Sequence, residues 1–239
     1  MTSMIATYLS ALPTVARHGE VFMAQFARLV ELLLEANQQV NLTAITDPAA
    51  VAIQHIADSL TALDAEPALG TAGRAADIGS GAGFPLLPLA IVTPAIHWTA
   101  IESIAKKCRF IESTARALGL GNVETHSLRA EDAGRSELRE TFDLATARAV
   151  GPISSLCEVG LPLLKIGGIL LLYKTHRAEP ELAAASTAIE RLGGTMEPSH
   201  SYSLPGDAQK RAIFRIRKSS PTPKTYPRRA GVPFKKPLL

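Results

Sequence analysis

Ala75-Ala76-Asp77-Ile78-Gly79-Ser80-Gly81-Ala82-Gly83-Phe84-Pro85 runs from an apolar strand through three alternating glycines into a helix. Glycines in such a turn can adopt positive φ and bring bare backbone against a ligand. Their amides then point at that ligand from the start of a helix. A dinucleotide fingerprint would need glycine or alanine at position 84, where this chain has Phe84. The bulky ring excludes the close helix–strand packing that a pyrophosphate site uses.

The next apolar run, His97–Ile101, ends in Glu102 and so places a carboxylate at the tip of a second strand. A carboxylate at this point can accept both hydroxyl hydrogens of a ribose. A glycine turn followed by a second-strand acid, with the dinucleotide spacing broken, resembles the S-adenosylmethionine site of class I methyltransferases. The resemblance implies S-adenosyl-L-methionine as the cofactor.

Charge is distributed unevenly along the 239 residues. Residues 1–207 contain 15 basic and all 22 acidic residues, a net charge of −7, whereas residues 208–239 contain ten basic residues and no acid. A cationic end on an acidic body suggests a polyanionic partner such as nucleic acid, with a solvated tail as the alternative. Aromatic residues are only 5% of the chain, which argues against a large platform for stacking bases.

Two cysteines, Cys108 and Cys157, lie far apart in predicted helices and match neither a metal site nor a disulfide framework. We therefore expect no metal and a reducing, cytoplasmic location. The uncharged stretch 78–101 is interrupted by prolines, which favours a helix, a turn and a buried strand over a membrane span. We expect a monomer that does not contact membranes.

Periodicity divides the chain into a helical front portion and an alternating remainder. Residues 18–40 have the apolar spacing of an amphipathic helix, and Asp47-Pro48 supplies the cap and first-turn proline of the next. Strand-like and helical runs then alternate, which predicts a mostly parallel sheet covered on both faces. The expected strands are 74–78, 97–101, 122–126, 142–147, 168–173, 195–203 and 211–217, and the expected helices between them are near 84–92, 104–118, 152–164 and 178–191.

Only Pro205-Gly206 separates the last two strands, so we expect them to pair antiparallel. The predicted fold is α/β, a Rossmann-like class I methyltransferase with a mostly parallel seven-stranded sheet, an antiparallel terminal hairpin and an N-terminal helical extension. The expected divisions are the extension at 1–72, the methyltransferase domain at 73–218 and a basic, proline-rich tail at 219–239. We expect the tail to be extended rather than helical.

The fourth strand delivers Arg148-Ala149-Val150 to the sheet edge where ligands bind. Enzymes that methylate exocyclic base amines typically place an acid or amide, two prolines and an aromatic residue there. Cys157 is predicted to be a small core residue rather than a nucleophile. Guanine N7 needs neither a base nor a nucleophile, because it already presents an in-plane lone pair. N7 lies on the major-groove edge of guanine, and this groove is deep and narrow in A-form RNA. The substrate guanine would therefore lie in a loop, bulge or opened strand.

Nearly the whole chain resembles the bacterial 16S ribosomal RNA guanine-N7 methyltransferases, also called glucose-inhibited division protein B. The matching motifs include Asn41-Leu42-Thr43, His55-Ile56-Ala57-Asp58-Ser59-Leu60, the glycine turn, Glu102-Ser103, Ala130-Glu131, Arg148-Ala149-Val150 and Tyr226-Pro227-Arg228-Arg229-Ala230-Gly231-Val232-Pro233. The resemblance implies methylation of guanine N7 in the decoding-region loop of 16S ribosomal RNA, either free or in the small ribosomal subunit. Two positions depart from the family, since Leu86 and Thr175 stand where glycine is usual.

The predicted cofactor contacts follow the first four strands. They are Asp77, Gly79, Gly81, Gly83, Phe84, Glu102, Ala130, Glu131 and Arg148. No catalytic residue is assigned, although Arg148 is a candidate for positioning substrate or cofactor. The candidate RNA-binding residues are Lys106, Lys107, Arg228, Arg229, Lys235 and Lys236.

Two alternatives remain open at the level of sequence. His55 and Asp58 either fix the front helices to the sheet as a hydrogen-bonded pair or contact the substrate. The activity could also be methylation of a small molecule, or the protein could be a non-catalytic ribosome-assembly factor that binds RNA. The former leaves the cationic end unexplained, and the latter leaves the glycine turn and Glu102 without a role.

Overall fold

A computed structural model describes residues 9, 13–18, 20–71, 73–148 and 151–238; Ala149 and Val150 of the fourth-strand motif lie outside this description. One seven-stranded sheet has the order β3-β2-β1-β4-β5-β7-β6, which confirms the predicted α/β fold. The strands are β1 Arg74–Ile78, β2 His97–Ile101, β3 Val123–His126, β4 Phe142–Arg148, β5 Leu164–Thr175, β6 Gly194–Tyr202 and β7 Arg211–Lys218.

Strand direction determines where the loops meet. β1 pairs in parallel with β2 and β4, and Ile78 is in register with Ile101 and Ala147. These three strands therefore end at one level and open their following loops on the same edge of the sheet. The chain order reverses between β1 and β4, so this edge is the switch point at which such sheets bind ligands. β7 pairs antiparallel with β5 and β6, as predicted for the terminal hairpin.

Helices occupy both sides of the sheet. The front helix predicted at 18–40 extends over Met23–Asn37, and the next begins at Pro48 with Asp47 accepting a hydrogen bond from the Ala50 amide at 2.8 Å. This second helix is π-helical over Ala52–Ala57 before α-helix resumes at Asp58–Ala65. The other helices are Pro13–His18, Leu86–Val92, Ala105–Ala117, Ala130–Ala133, Ile153–Gly160, Glu179–Ala184, Ser186–Arg191 and Val232–Lys235. Within the described residues, no helix combines the length and the apolar character needed to cross a membrane.

Two clusters of buried apolar side chains lie on the two faces of the sheet. Along β1, Ala75 belongs to the first cluster, whereas Ala76 and Ile78 belong to the second. The first cluster also contains Phe26 and Leu60, so the front helices are packed onto the sheet. β1 is buried on both faces and is mainly apolar, with Arg74 at its start and Asp77 near its end, and this apolar run made its position predictable from the sequence.

The carboxyl-terminal segment corrects the expectation of an extended tail. Residues Val232–Lys235 form one helical turn. Tyr226, Phe234 and Leu238 pack against the second apolar cluster. The segment folds onto the body because these three apolar side chains bury hydrophobic surface against the second cluster.

The charge asymmetry is also smaller in three dimensions than in the sequence. Several of the ten basic residues after Asp207 lie on β7 and are neutralised by acids of the body. The pairs are Arg211–Asp207 at 2.8 Å, Arg215–Glu66 at 2.8 Å and Arg217–Glu197 at 2.7 Å. Lys218 is buried, where its ammonium donates to the Leu161 carbonyl and desolvation lowers its pKa to about 8. Among the basic residues after Asp207, those available to a partner therefore include the exposed Arg229, Lys235 and Lys236 of the carboxyl-terminal segment.

Candidate functional site

The glycine turn after β1 has the geometry that the sequence predicts. Gly79, Gly81 and Gly83 have φ values of 67°, 57° and 82°, a region that other residues rarely adopt. A Cβ at Gly83 would also lie 2.4 Å from the Leu87 side chain, so the turn could not approach its helix closely with any other residue. The turn therefore exposes backbone amides at the switch point of the sheet.

Glu102 is held rigidly at the tip of β2. One carboxylate oxygen accepts a hydrogen bond from the Gly81 amide at 2.9 Å, and the other accepts from the Ile104 amide at 2.8 Å. The residue is only 5% exposed. Each carboxylate oxygen can accept a second hydrogen bond, so the pair can receive two hydroxyl groups of a ribose.

Asp77 is a buried carboxylate at the end of β1 with one unsatisfied oxygen. Its Oδ1 accepts a hydrogen bond from the Thr146 hydroxyl at 2.7 Å, while Oδ2 has no partner among the described residues. Burial raises the pKa of Asp77 to about 6. A buried polar atom normally has a partner, and this one suits a cationic or hydrogen-bond-donating group of a ligand.

Two cavities meet at the glycine turn and share Gly79, Glu102 and Ser103. The first has a volume of about 220 Å³ and is also lined by Ile78, Ile101, Leu128, Arg129, Ala130, Glu131 and Phe234. The second has a volume of about 430 Å³ and is also lined by Leu42, Thr43, His55, Ser80, Gly81, Ala82, Phe84, Lys107 and Arg148. We call these the adenine-side cavity and the acceptor-side cavity.

The chemistry of this cleft fits S-adenosylmethionine. Glu102 suits the ribose, Asp77 and the glycine amides suit the ammonium and carboxylate of an amino acid, and the adenine-side cavity is apolar on one wall. Seven of the nine predicted cofactor residues line the two cavities, and Asp77 and Gly83 do not. Asp77 is buried at the end of β1, and Gly83 packs the turn against its helix. Glu131 lines the adenine-side cavity, and one oxygen of its buried carboxylate also accepts from the Gly231 amide of the tail at 2.7 Å.

Arg148 is fixed at the end of β4 by the second helix, which extends from Pro48 to Ala65. Its guanidinium donates to Asp58 at 2.9 Å, to the Gln54 carbonyl at 3.0 Å and to His55 Nδ1 at 3.1 Å. It also lies 5.6 Å from the centre of the Phe84 ring. With its charge neutralised by Asp58, Arg148 acts as a rigid wall of the acceptor-side cavity.

His55 is neutral and its hydrogen-bonding pattern is determined. Burial, followed by the charge of Arg148, lowers the pKa of His55 to about 3. Because Arg148 can only donate, Nδ1 is the acceptor and the ring proton is on Nε2, which donates to Thr43 Oγ1 at 3.0 Å. The imidazole also stacks on Phe84 with ring centres 4.7 Å apart.

Asp58 resolves one alternative that the sequence left open. It is almost fully buried and accepts hydrogen bonds from Arg148, from the Tyr202 hydroxyl at 2.7 Å and from Arg211 at 3.5 Å. No direct His55–Asp58 bond is found among the described contacts; both residues bind Arg148 instead. They therefore fix the second helix, which begins at Pro48, to β4, β6 and β7. His55 in addition lines the acceptor-side cavity.

The candidate RNA-binding residues separate into two groups. Lys106, Arg229, Lys235 and Lys236 are exposed, and Lys107 is half-buried at the rim of the acceptor-side cavity. Arg228 is different, because its guanidinium forms three hydrogen bonds, at 2.6, 2.8 and 3.1 Å, with the fully buried carboxylate of Glu158.

Two further positions, Leu86 and Cys157, are core residues. Leu86 is fully buried in the first apolar cluster and is not among the residues that line either cavity, so it does not narrow the cleft. Thr175 is the half-buried last residue of β5 and lines neither cavity. Cys157 is fully buried, and burial raises the pKa of its thiol well above the usual range, which agrees with a packing role.

Phe234 is the cavity residue that sequence reasoning missed. It reaches the adenine-side cavity from the tail, more than 100 positions beyond the Ala130-Glu131 pair beside it. A single aromatic residue in a proline- and lysine-rich stretch carries no periodic signal, so only the folded chain shows this proximity.

Comparison with known proteins agrees with this geometry. The family model GidB, described as rRNA small subunit methyltransferase G, matches residues 23–206. The ribosomal RNA small subunit methyltransferase G of Exiguobacterium is 42% identical over 222 residues, covering 92% of this chain and 93% of the relative. The protein of the same name from Leuconostoc citreum is 45% identical over 216 residues and covers 90% of both chains.

Solved structures share the fold at low sequence identity. The [4+2]-cyclase SpnF has a TM-score of 0.56 and 21% identity, covering 82% of this chain and 94% of its own. M. jannaschii TYW2 in complex with AdoMet has a TM-score of 0.51 and 16% identity, covering 61% and 68%. The family model over residues 23–206, together with relatives that are 42% and 45% identical over at least 90% of this chain, shows that the chain belongs to the GidB family, rRNA small subunit methyltransferase G, whose cofactor is S-adenosylmethionine.

Proposed function

We propose that this protein transfers a methyl group from S-adenosylmethionine to N7 of a guanine in 16S ribosomal RNA, in the loop of the decoding region. It acts as a cytoplasmic monomer on an unpaired or opened strand, free or within a small ribosomal subunit. The family assignment supports ribosomal RNA as the substrate class. The nature of the acceptor atom rests on the chemistry of the acceptor-side cavity.

The observation that carries the proposal is that the acceptor-side cavity offers no available base among its described residues. The only basic imidazole nitrogen, Nδ1 of His55, already accepts from Arg148. Glu102 is engaged by two backbone amides and, with the cofactor bound, by the ribose hydroxyls as well. Methylation of an exocyclic amine or a ring carbon would require removal of a proton, whereas N7 has a lone pair and no proton to lose. The cavity is therefore suited to N7.

Each predicted cofactor residue has a role in this proposal. Gly79, Gly81 and Gly83 form the amide turn, and Asp77 and Glu102 bind the amino acid and ribose ends. Ala130 and Glu131 flank the adenine, and Phe84 and Arg148 form walls of the acceptor-side cavity. Lys106 and Lys107 at the cleft rim, together with Arg229, Lys235 and Lys236, contact RNA phosphate, whereas Arg228 is structural.

The chain contributes positioning rather than proton transfer. When bound, S-adenosylmethionine supplies an electrophilic methyl group. Phe84 stacks on His55 and lies near Arg148, and all three line the acceptor-side cavity, so this wall guides the acceptor nitrogen toward the methyl group. The Asp58 carboxylate neutralises Arg148, which limits repulsion of the positive charge that develops on the guanine ring.

The Thr43 hydroxyl favours guanine over adenine as the base that accepts the methyl group. Its hydroxyl oxygen accepts from His55 Nε2 at 3.0 Å and from the Ile45 amide at 3.1 Å. Both lone pairs are then used, so toward a ligand this hydroxyl can only donate. The atom beside N7 is the acceptor O6 in guanine and the donor N6 in adenine, so a donor in this cavity selects guanine.

Thr43→Val is expected to lower kcat/KM for guanine methylation by roughly tenfold to a hundredfold, the effect of one lost base-edge contact. Thr43→Ser retains the hydroxyl and should stay close to the natural protein. The measurement uses RNA that carries guanine or 2-aminopurine at the target, since 2-aminopurine keeps N7 but lacks O6. The natural protein should prefer guanine, and Thr43→Val should lose most of that preference. An equal loss on both bases would assign Thr43 to support of His55 alone.

The protonation of Asp77 should make cofactor affinity depend on pH. Its pKa of about 6 means that the free protein carries a neutral Asp77 below that pH. Binding a cationic amino group favours the carboxylate, so affinity should be constant above pH 6 and fall by up to about tenfold per unit below it. Calorimetric titration at pH 5, 6 and 7.5 measures this, and Asp77→Asn should bind more weakly with no such slope. A slope that persists in Asp77→Asn would assign the dependence to another group.

One assay tests the function itself. Methyl-labelled S-adenosylmethionine is incubated with naked 16S RNA and with small subunits that lack the modification, and the modified base is mapped. We expect one guanine whose site becomes sensitive to reduction and aniline cleavage, as N7-methylguanine does. Label on another atom would refute the N7 assignment, label on small molecules only would favour the small-molecule enzyme, and RNA binding without transfer would favour the assembly factor.

A further inference from the structure

The tail is docked as a structural element beside the cofactor cleft. Arg135 Nε donates to the Pro227 carbonyl at 2.8 Å, and Arg139 donates to the Tyr226 carbonyl at 2.9 Å. Further along, the Ser155 hydroxyl donates to the Pro233 carbonyl at 2.7 Å. These contacts come from two parts of the methyltransferase domain, the loop before β4 and the helix Ile153–Gly160. The docked segment, residues 226–238, is thereby held at several points along its length.

Phe234 carries this segment into the adenine-side cavity. It lines that cavity together with Gly79 and Ile101. The ring packs so closely on Gly151 that a Cβ there would lie 2.9 Å from two of its carbons. The half-buried ring therefore has one side against the protein and another toward the space that receives the adenine. A flat aromatic wall beside a planar base is a favourable stacking geometry.

A second contact attaches the segment to the same rim. Glu131, a residue of the predicted adenine-binding pair, accepts from the Gly231 amide at 2.7 Å while its side chain is almost fully buried. The short helix Val232–Lys235 follows directly and presents Phe234. Movement of the segment would thus release both Glu131 and the aromatic wall.

The same turn carries the exposed cations of the tail. Lys235 and Lys236 adjoin Phe234, and Arg229 lies two residues before Gly231. All three are exposed, so phosphate contact with them would hold the segment in its docked position. One short element therefore faces the cofactor on one side and a polyanion on the other.

We propose that the docked segment couples the two ligands: Phe234 stacks on the adenine of the cofactor, the neighbouring lysines bind RNA phosphate, and each ligand strengthens the binding of the other. The coupling rests on RNA being the substrate, as in the proposed function, but it does not depend on which base atom is methylated. Linkage requires the effect to be reciprocal, with a typical size of about fivefold or more.

The test measures binding of S-adenosylhomocysteine, which cannot transfer a methyl group, by calorimetry with and without a 16S RNA transcript. In the natural protein, RNA should strengthen binding by about fivefold. Phe234→Ala should weaken binding without RNA by about tenfold, and Phe234→Tyr, which keeps the ring, should restore it. Lys235→Ala/Lys236→Ala should bind S-adenosylhomocysteine normally without RNA and should lose the strengthening by RNA.

Each outcome has a definite meaning. Unchanged affinity in Phe234→Ala, with thermal unfolding showing a folded protein, would overturn the adenine contact. A loss that Phe234→Tyr does not restore would also overturn it. Strengthening by RNA that survives in Lys235→Ala/Lys236→Ala would overturn the coupling, as would its absence in the natural protein. Failure of the proposed function is distinguishable, because a methyl group mapped to an atom other than N7 would leave all these binding results intact.

Discussion

Gly79→Arg is expected to abolish binding of S-adenosylmethionine. Gly79 lines both cavities, so a long side chain there would occupy the space that the cofactor needs. Its φ of 67° also disfavours any side chain, which adds a cost of about 1–2 kcal/mol to the folded state. RNA affinity, measured without cofactor, should remain largely intact because the exposed lysines lie on other segments. Calorimetry with the cofactor and filter binding with 16S RNA provide the two measurements.

Gly119→Arg is the matched control for the backbone penalty. Gly119 has a φ of 70°, and nothing lies within 4 Å of a Cβ placed there. Both substitutions should lower thermal stability by a similar amount, but only Gly79→Arg should lose cofactor binding. If Gly119→Arg also lost cofactor binding, the effect would be global strain rather than occlusion of the cleft. Equal loss of RNA and cofactor affinity in Gly79→Arg would contradict a separate RNA surface.

The central part of the fold could be predicted because its signals are local. Short, mainly apolar strands such as 74–78 alternate with helical patterns, and glycines mark many of the boundaries, so the order of elements follows from the sequence. The Asp47-Pro48 cap is likewise a local rule. The π-helical turn Ala52–Ala57 could not be predicted from local sequence. It lies in the second helix, where the Gln54 carbonyl accepts a hydrogen bond from the distant Arg148. The proposed domain boundaries at 72 and 218 stay a prediction.

The site was predictable where it lies next to strand ends and unpredictable where it depends on distant parts of the chain. The glycine turn, Asp77 and Glu102 follow directly from strands that pair in register. The prediction of an extended tail was wrong because amino-acid composition shows the charge of a segment but not whether it packs against the rest of the protein. Proline and lysine suggested an extended solvated arm, whereas Phe234 and Arg228 find partners that only the folded body provides. Pairing of β7 arginines with body acids was invisible for the same reason.

Arg228→Ala is expected to lower the free energy of unfolding by about 3 kcal/mol, because removal of one partner leaves a buried charge uncompensated. Glu158 is fully buried, and both of its oxygens accept from the Arg228 guanidinium. Equilibrium unfolding in urea, followed by the fluorescence of the buried Trp98, measures the change. The released tail should also weaken cofactor binding through Phe234.

Arg229→Ala is the control, since the neighbouring side chain is exposed and should change stability by no more than about 0.5 kcal/mol. Adding Glu158→Gln to Arg228→Ala should recover part of the lost stability, because it removes the unpaired buried charge. Such recovery would not be expected if Arg228 acted mainly on RNA phosphate. In that case Arg228→Ala would unfold at the same urea concentration as the natural protein and lose RNA affinity alone. The same pair of variants thus decides whether the most specific motif of the tail is structural or recognises RNA.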